Sequence, residues 1–519
     1  MKNKILYIFS LIAILSLGSC GDFDDINLDP NNPSQADTRF LFVRAMQGTT
    51  FSVFSSAPAP SVSLYDPFSQ LYPQYFAEAL NIQYSQFQIV DFSLGVYYNT
   101  FLRNLKLIIA MNQDEDQKST EFVGAMGSND NQIAVAKTLE AFYYMHMTDV
   151  LGSIYYSEAL LGDEGNFTPK FDTQEAIYTA LEEKLNEAYG LFDESDRLNS
   201  QYDILYNGNI SKWKKLNASL RMLMAIKLSD VAPEVGKARF SKAYQEGGLQ
   251  TNEDNLRYKY LNETANMNPL HENMSISKRQ DFAPSKTIVD VLLSYKDPRV
   301  LSYGVPSPQN NFDAVPFGVP RNEISNYTGK IVMFNPKLYA MNAPITIISA
   351  SRMLLVAAEA AVRGWISADA ATLYKDGITM SFEEKDFESD VEGYKANDPD
   401  LWESWETDYG FILTVDDYLA QPEVALTGSN VEKIEKIAMQ RWLNGFMEDG
   451  LEAWSDWRRL NVPTLTPGQA APSTITHVPY RRQYYLIDYE TNMDNYRQAI
   501  SAQGADNFDT RLWWDVADN

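Results

Sequence analysis

The sequence predicts an all-α protein built from stacked helical hairpins. Two observations carry that prediction. Apolar residues recur at helical spacing through most readable segments, in stretches of roughly a dozen to twenty residues parted by polar loops. Alternating, strand-like pattern is scarce, and short candidates such as Tyr485 to Ile487 fit either element.

The elements follow in chain order. Residues 1–19 read as a signal peptide: Lys2 and Lys4, then an apolar run of 13 residues from Ile5 to Leu17. As a helix that run spans about 20 Å, too short for a hydrocarbon core of roughly 30 Å. Leu17-Gly18-Ser19-Cys20 resembles the lipobox of bacterial lipoproteins, in which the thiol is lipidated and becomes the first residue. Residues 20–34 form an acidic, turn-rich tether. Within it Asp25, Asn27 and Asp29 fit the first ligand positions of a calcium loop. Pro30 and Ala36 occupy its glycine and bidentate-acid positions, so no EF-hand is predicted and no metal site is assigned.

The body runs from 35 to 519. Val135, Leu139 and Phe142 start one helical stripe, ahead of Asp149-Val150-Leu151-Gly152. Ile177, Leu181, Leu185, Ala188 and Phe192 form a second; Trp213, Leu216, Leu220 and Leu223 a third. Another holds Leu354, Leu355, Ala358, Ala361, Val362 and Trp365, with Gly364 as its stop. Arg352, Glu359 and Arg363 share the opposite face and read as a structural bridge worth about 0.2–0.5 kcal/mol. No clean 34-residue period is present, so the pattern alone does not establish a repeat array.

Composition removes whole classes of function. Lys and Arg number 43 against 69 Asp and Glu, a net charge of −26, which excludes nucleic acid as a partner. The same field opposes docking on anionic lipid headgroups through the protein surface. One cysteine and three histidines exclude a disulfide framework and leave little for metal or triad chemistry; no cofactor is expected. His271-Glu272 lacks the second histidine of a zincin, with Ser275 in its place, and no Gly-x-Ser-x-Gly elbow occurs. Paired carboxylates remain: Glu448, Glu452 and Asp456 at i, i+4 and i+8, interleaved with Trp454 and Trp457. Because Arg458 and Arg459 follow, an ion-paired or solvated face explains them more simply than a glycosidase, and the chain is not expected to be an enzyme.

Two loop-rich regions, 49–91 and 261–344, are the predicted binding elements. The candidate ligand residues are Tyr72, Tyr75, Tyr84, Phe87 and Phe282 as stacking platforms, with Arg279 as a hydrogen-bonding fork. The competing reading places these rings in small cores that anchor the loops. Trp513 and Trp514 are expected to pack on the body, since exposed indoles waste apolar area.

The ordered pieces resemble the SusD/RagB family of nutrient-binding outer-membrane lipoproteins from Bacteroidetes-type bacteria. They are the 25–34 tether, Ala134 to Tyr144 with its Asp149 sequel, Asp281-Phe282-Ala283-Pro284-Ser285-Lys286, Asp297-Pro298-Arg299, the 352–364 segment, Gln440-Arg441-Trp442-Leu443-Asn444, Trp454-x-x-Trp457-Arg458-Arg459 and the Phe508 to Asp515 ending. The resemblance implies four tetratricopeptide-like helix pairs with loop insertions forming the ligand surface. It implies capture of an oligosaccharide or peptide without chemistry, and delivery to a SusC-like TonB-dependent transporter. It also implies a lipid anchor at Cys20 that holds the protein on the outer membrane, facing outward.

Overall fold

A computed structural model describes residues 36–50, 67–80, 83–87, 91–448 and 450–516. The signal peptide, Cys20 and the whole tether lie outside the described residues, as does much of the 49–91 loop. The helices relevant here are α1 (Thr38–Gln47), α2 (Arg103–Gln113), α3 (Asn129–Leu151), α4 (Gln174–Leu191), α5 (Ile210–Lys227), α6 (Pro233–Glu246), α7 (Lys286–Ser294), α8 (Ala350–Val362), α9 (Ala370–Lys385), α10 (Asn430–Asn444), α11 (Gly450–Leu460) and α12 (Met493–Gln503). Four consecutive pairs pack as hairpins: α3 with α4, α5 with α6, α8 with α9, and α10 with α11. Helix α5 joins the first two pairs to α8, and α8 lies on α10, which gives the expected tetratricopeptide-like stack.

Local chemistry starts these helices where the sequence changes character. Thr173, Asn209, Ser349 and Asp369 each accept a backbone N–H of the first turn of α4, α5, α8 and α9. Ser429 and Glu432 form a reciprocal capping box at α10. Helix α3 is buried on nearly every face along its 23 residues, so it runs through the core rather than along the surface. Gly450 opens α11 directly against the Ser69 carbonyl, where a Cβ would lie 1.7 Å from that oxygen, so no side chain fits.

The 352–363 face is the main departure from expectation. Glu359 is wholly buried, not surface-exposed. Arg459 grips it with two nitrogens at 2.5 and 2.8 Å, Arg441 approaches at 2.7 Å and Arg363 at 2.8 Å. Asp456 completes the lattice, contacted by Arg352 at 2.9 Å and by Arg441 and Arg459 at 3.2 Å. The helical wheel places these residues on one face correctly; it cannot show that α10 and α11 cover that face.

The carboxyl end docks as expected. The Trp514 indole N–H donates to Asp149 at 2.9 Å, and the ring is fully buried. Asp149 also accepts from Tyr178 at 2.5 Å and Lys227 at 2.7 Å, while Lys227 reaches Glu452 at 2.5 Å. The Arg458 guanidinium stacks 3.7 Å from the Trp454 centroid and 4.8 Å from that of Trp514.

Strands are short and pair two by two among the described residues. β1 (Phe76–Glu78) runs antiparallel to β6 (Phe282–Pro284), bringing the two loop-rich regions together. β2 (Asp91–Phe92) runs parallel to β10 (Gln483–Tyr484), and β3 (Ile154–Tyr155) antiparallel to β4 (Phe171–Asp172); β5 (Leu256–Tyr258) with β9 (Ile345–Ile348) and β7 (Gly304–Val305) with β8 (Met333–Phe334) are also antiparallel. On β1 the buried Glu78 accepts from the Ser85 amide at 2.7 Å and its hydroxyl at 2.6 Å, while Oε1 has no partner among the described residues. Burial pushes this carboxyl up to about 7.

Two outcomes are expected. Against the cost of burial the arginines hold Glu359 well below its ordinary value of 4.5, so its stabilisation is fully present above 4.5 and is lost as pH falls from there through the lower folded-state value. Glu359→Gln should cost about 3–5 kcal/mol in denaturant melts at pH 7, and its deficit should narrow in acid. Glu78 behaves oppositely: from pH 4.5 to about 7 the unfolded carboxyl is ionised while the folded one stays protonated, so stability declines across that window. Glu78→Gln should therefore gain about 1–3 kcal/mol at pH 8 and almost nothing at pH 4.5. An equal change in melting temperature at both values would contradict the assignment.

Candidate ligand-binding site

The predicted platform does not form as a unit. Tyr72 and Tyr75 are fully buried, Phe87 is 2% exposed and Phe282 7%. Tyr72 packs on Trp454 and Phe87, Tyr75 on Trp442, and Phe282 on Phe76. The Tyr75 hydroxyl donates to the Trp442 carbonyl at 2.6 Å, tying the loop region to α10. These four rings are core residues, because the β1–β6 pair folds the polar-looking loops onto α10 and α11. Tyr84 stays half-buried, and Arg279 is exposed and ion-paired to Asp281 at 2.6 Å.

A different cleft, of about 540 Å³, gathers three remote segments. The first is Ser93 to Asn99, leading from β2 toward α2. The second includes Tyr155, Ala159, Leu160 and Pro169, from β3 and the loop after it; the third holds Tyr485, Ile487 and Asp488, after β10. Asp488 fastens the first segment to the third, accepting from the Leu94 amide at 2.5 Å and the Ser93 hydroxyl at 3.2 Å. Tyr155 donates to the Asp488 carbonyl at 3.1 Å, and Tyr98 donates to the Tyr155 carbonyl. Asp172 holds the second segment by accepting from the Tyr156 and Ser157 amides at 3.2 and 2.7 Å. Asn492 fixes its far end through the Pro169 carbonyl at 2.6 Å.

Burial keeps the tyrosine hydroxyls neutral: that of Tyr155 is pushed up to about 12, and that of Tyr98 is raised well above its ordinary value. The cleft thus offers flat aromatic walls in Tyr98, Tyr155 and Tyr485 and an exposed Asn99 whose amide has no partner among the described residues. Leu486, Ile487 and Phe167 are 53%, 60% and 78% exposed. Its one carboxylate, Asp488, is committed to backbone and Ser93. Such a lining suits binding of an uncharged, ring-shaped molecule.

The three carboxylates weighed for glycoside cleavage lie elsewhere and do not converge. Glu448 pairs with Lys385, Glu452 with Lys227, and Asp456 with three arginines. Each is buried and ion-paired; of the arginines that follow in sequence only Arg459 takes part, with Asp456, while Glu448 and Glu452 pair with lysines of other helices. The cleft residues escaped the sequence reading because segments 93–99 and 485–488 are nearly 400 positions apart; Tyr485 stood in a segment that fitted either strand or helix.

Comparison with known proteins agrees with this architecture. No curated protein matches the chain. A SusD homologue from Bacteroides fragilis superposes with a TM-score of 0.72 at 25% identity, covering 92% of this chain and 99% of that one. A SusD homologue from Bacteroides uniformis gives 0.73 at 22% identity, over 92% and 99% of the two chains. A structure described as a chitin-binding protein gives 0.71 at 25% identity, again over 92% and 99%. The model of the SusD-like family described as starch-binding, associating with outer membrane, matches residues 30–485, and the chain belongs to that family.

Proposed function

We propose that this protein captures a neutral oligosaccharide at the outer membrane and passes it to a SusC-like TonB-dependent transporter, without acting on it chemically. The observation that carries the reading is the aromatic cleft walled by Tyr98, Tyr155 and Tyr485, with Asn99 as its uncommitted polar group. In this reading residues 1–19 are removed, Cys20 carries the lipid, residues 20–34 are the tether and residues 35–519 the binding body. No helix among the described residues is long and apolar enough to cross a membrane, which agrees with lipid attachment. Tyr84 and Arg279, beside the β1–β6 pair, are accessible enough to contact a longer ligand. Chitin oligosaccharides are the first ligands to try, since a 25% identical structural neighbour is described as chitin-binding.

Calorimetry with chitin and starch oligosaccharides tests the proposal. Tyr485→Ala should weaken binding by about 1–3 kcal/mol, with the melting temperature maintained because this ring is only partly buried. Binding that survives Tyr485→Ala and Asn99→Ala unchanged would place the ligand elsewhere; release of shorter sugars would identify a hydrolase; preference for peptides would reassign the ligand. Cys20→Ala should move the protein from the membrane to the soluble fraction. Equal membrane retention would refute the lipid anchor.

A further inference from the structure

A second cleft, of about 350 Å³, shares no residue with the aromatic one. It is lined by Arg257 on the strand Leu256–Tyr258, Thr346 on the strand Ile345–Ile348, Glu384 and Lys385 at the end of α9, and Glu448 in the turn between α10 and α11. Its apolar surface includes Tyr303 and Phe446, which stack with centroids 4.4 Å apart.

The charges here are matched internally but not exhausted. Arg257 donates to Glu384 and, through Nε, to Thr346 at 3.2 Å; its Nη1 has no partner among the described residues. Lys385 gives one hydrogen to Glu448 and lies over the Tyr303 ring, 5.5 Å from its centroid, with no further hydrogen-bond acceptor for its ammonium among the described residues. Glu384 Oε1 accepts only from Thr346, at 2.7 Å, and Glu448 Oε2 only from Asn444, at 3.2 Å, so each retains a lone pair. Uncommitted donors and acceptors of both charges therefore line one small space.

The backbone around this space is also unusual. Asp386 and Met447 both line it, and both hold left-handed conformations, with φ of 48° and 59°. Asp386 is the cap of α9, where that conformation is ordinary; at Met447, whose side chain has no local hydrogen-bonding oxygen, it is rare, and such residues concentrate at binding sites. Buried ion pairs are likewise poor sources of stability compared with apolar packing.

We infer that this cleft is a second binding site, for a single neutral sugar residue or similar small polyol. An anion entering it would meet Glu384 and Glu448, and a cation would meet Arg257 and Lys385, so net charge of either sign is opposed. A hydroxyl accepts from the guanidinium or ammonium and donates to the carboxylate at once, which fits the uncommitted groups in pairs. Half-buried Leu338 and exposed Pro344 supply the apolar contact that a pyranose face needs, over a floor of the buried rings of Tyr303 and Phe446.

The experiment uses the full mature chain carrying Tyr485→Ala, so that the aromatic cleft does not contribute, with glucose, galactose and N-acetylglucosamine as probes and glycine as a zwitterionic control. Ligand-observed NMR should show at least one of these sugars binding, and Thr346→Val or Arg257→Ala should weaken that binding about tenfold or more. Thr346→Val conserves side-chain volume, and circular dichroism melts confirm that the variants fold. The inference is overturned if no sugar binds the Tyr485→Ala protein, if both variants bind as the parent does, or if glycine binds more tightly than every sugar. Loss of oligosaccharide binding in Tyr485→Ala bears on the aromatic cleft alone.

Discussion

The buried carboxylates of Glu359 and Asp456 are the constraint on which the stack depends. Between them they are contacted by Arg352, Arg363, Arg441 and Arg459, from α8, its carboxyl-terminal cap, α10 and α11. Ions removed from water are tolerable only when the geometry satisfies them together. Helix α10 therefore cannot slide on α8, nor α11 on either, without exposing several charges at once. Apolar packing would permit alternative registers; this lattice admits one.

A second polar centre does the same at the other end. Asp149, near the end of α3, collects Tyr178 from α4, Lys227 from α5 and Trp514 from the carboxyl terminus. Lys227 then connects to Glu452 on α11. The chain following Asp149 turns at Gly152, whose φ is +84° and whose Cβ position lies 2.1 Å from the Gln503 side chain, and continues into β3 and Tyr155. The aromatic cleft is thus tied to the body by the same contacts that close it around its last residues.

The strongly acidic composition acquires a more specific meaning in this light. Much of the limited basic complement is internal: Arg221, Arg299, Arg352, Arg441 and Arg458 are among the largest fully buried side chains. Arginine suits this role because its planar fork bonds carboxylates bidentately and stacks on indoles. Buried carboxylates such as Asp149, Asp297, Glu359, Glu452 and Asp456 match these arginines inside, so the net negative charge is carried by the outer surface, a field that repels anionic polymers and leaves uncharged ligands unaffected.

What the sequence by itself determined was the helical class, because period and caps are local: the stripes around Leu139, Leu181, Leu220 and Leu355 all became helices whose apolar residues are buried. The docking of Trp514 was legible for the same reason, since an indole's apolar area is a property of the residue alone. What only the tertiary structure decided was which polar or aromatic side chains meet solvent. Tyr72, Tyr75, Phe87 and Phe282 sit in polar sequence yet lie in the core, and Glu359 sits on a polar helical face yet is covered by two other helices. The aromatic cleft was not legible because Asn99, Tyr155 and Tyr485 are brought together by β2–β10 pairing and by Asp488, contacts between remote positions. Spacing along a chain fixes neighbours within one helix or strand; burial and cleft formation depend on what another element places on top.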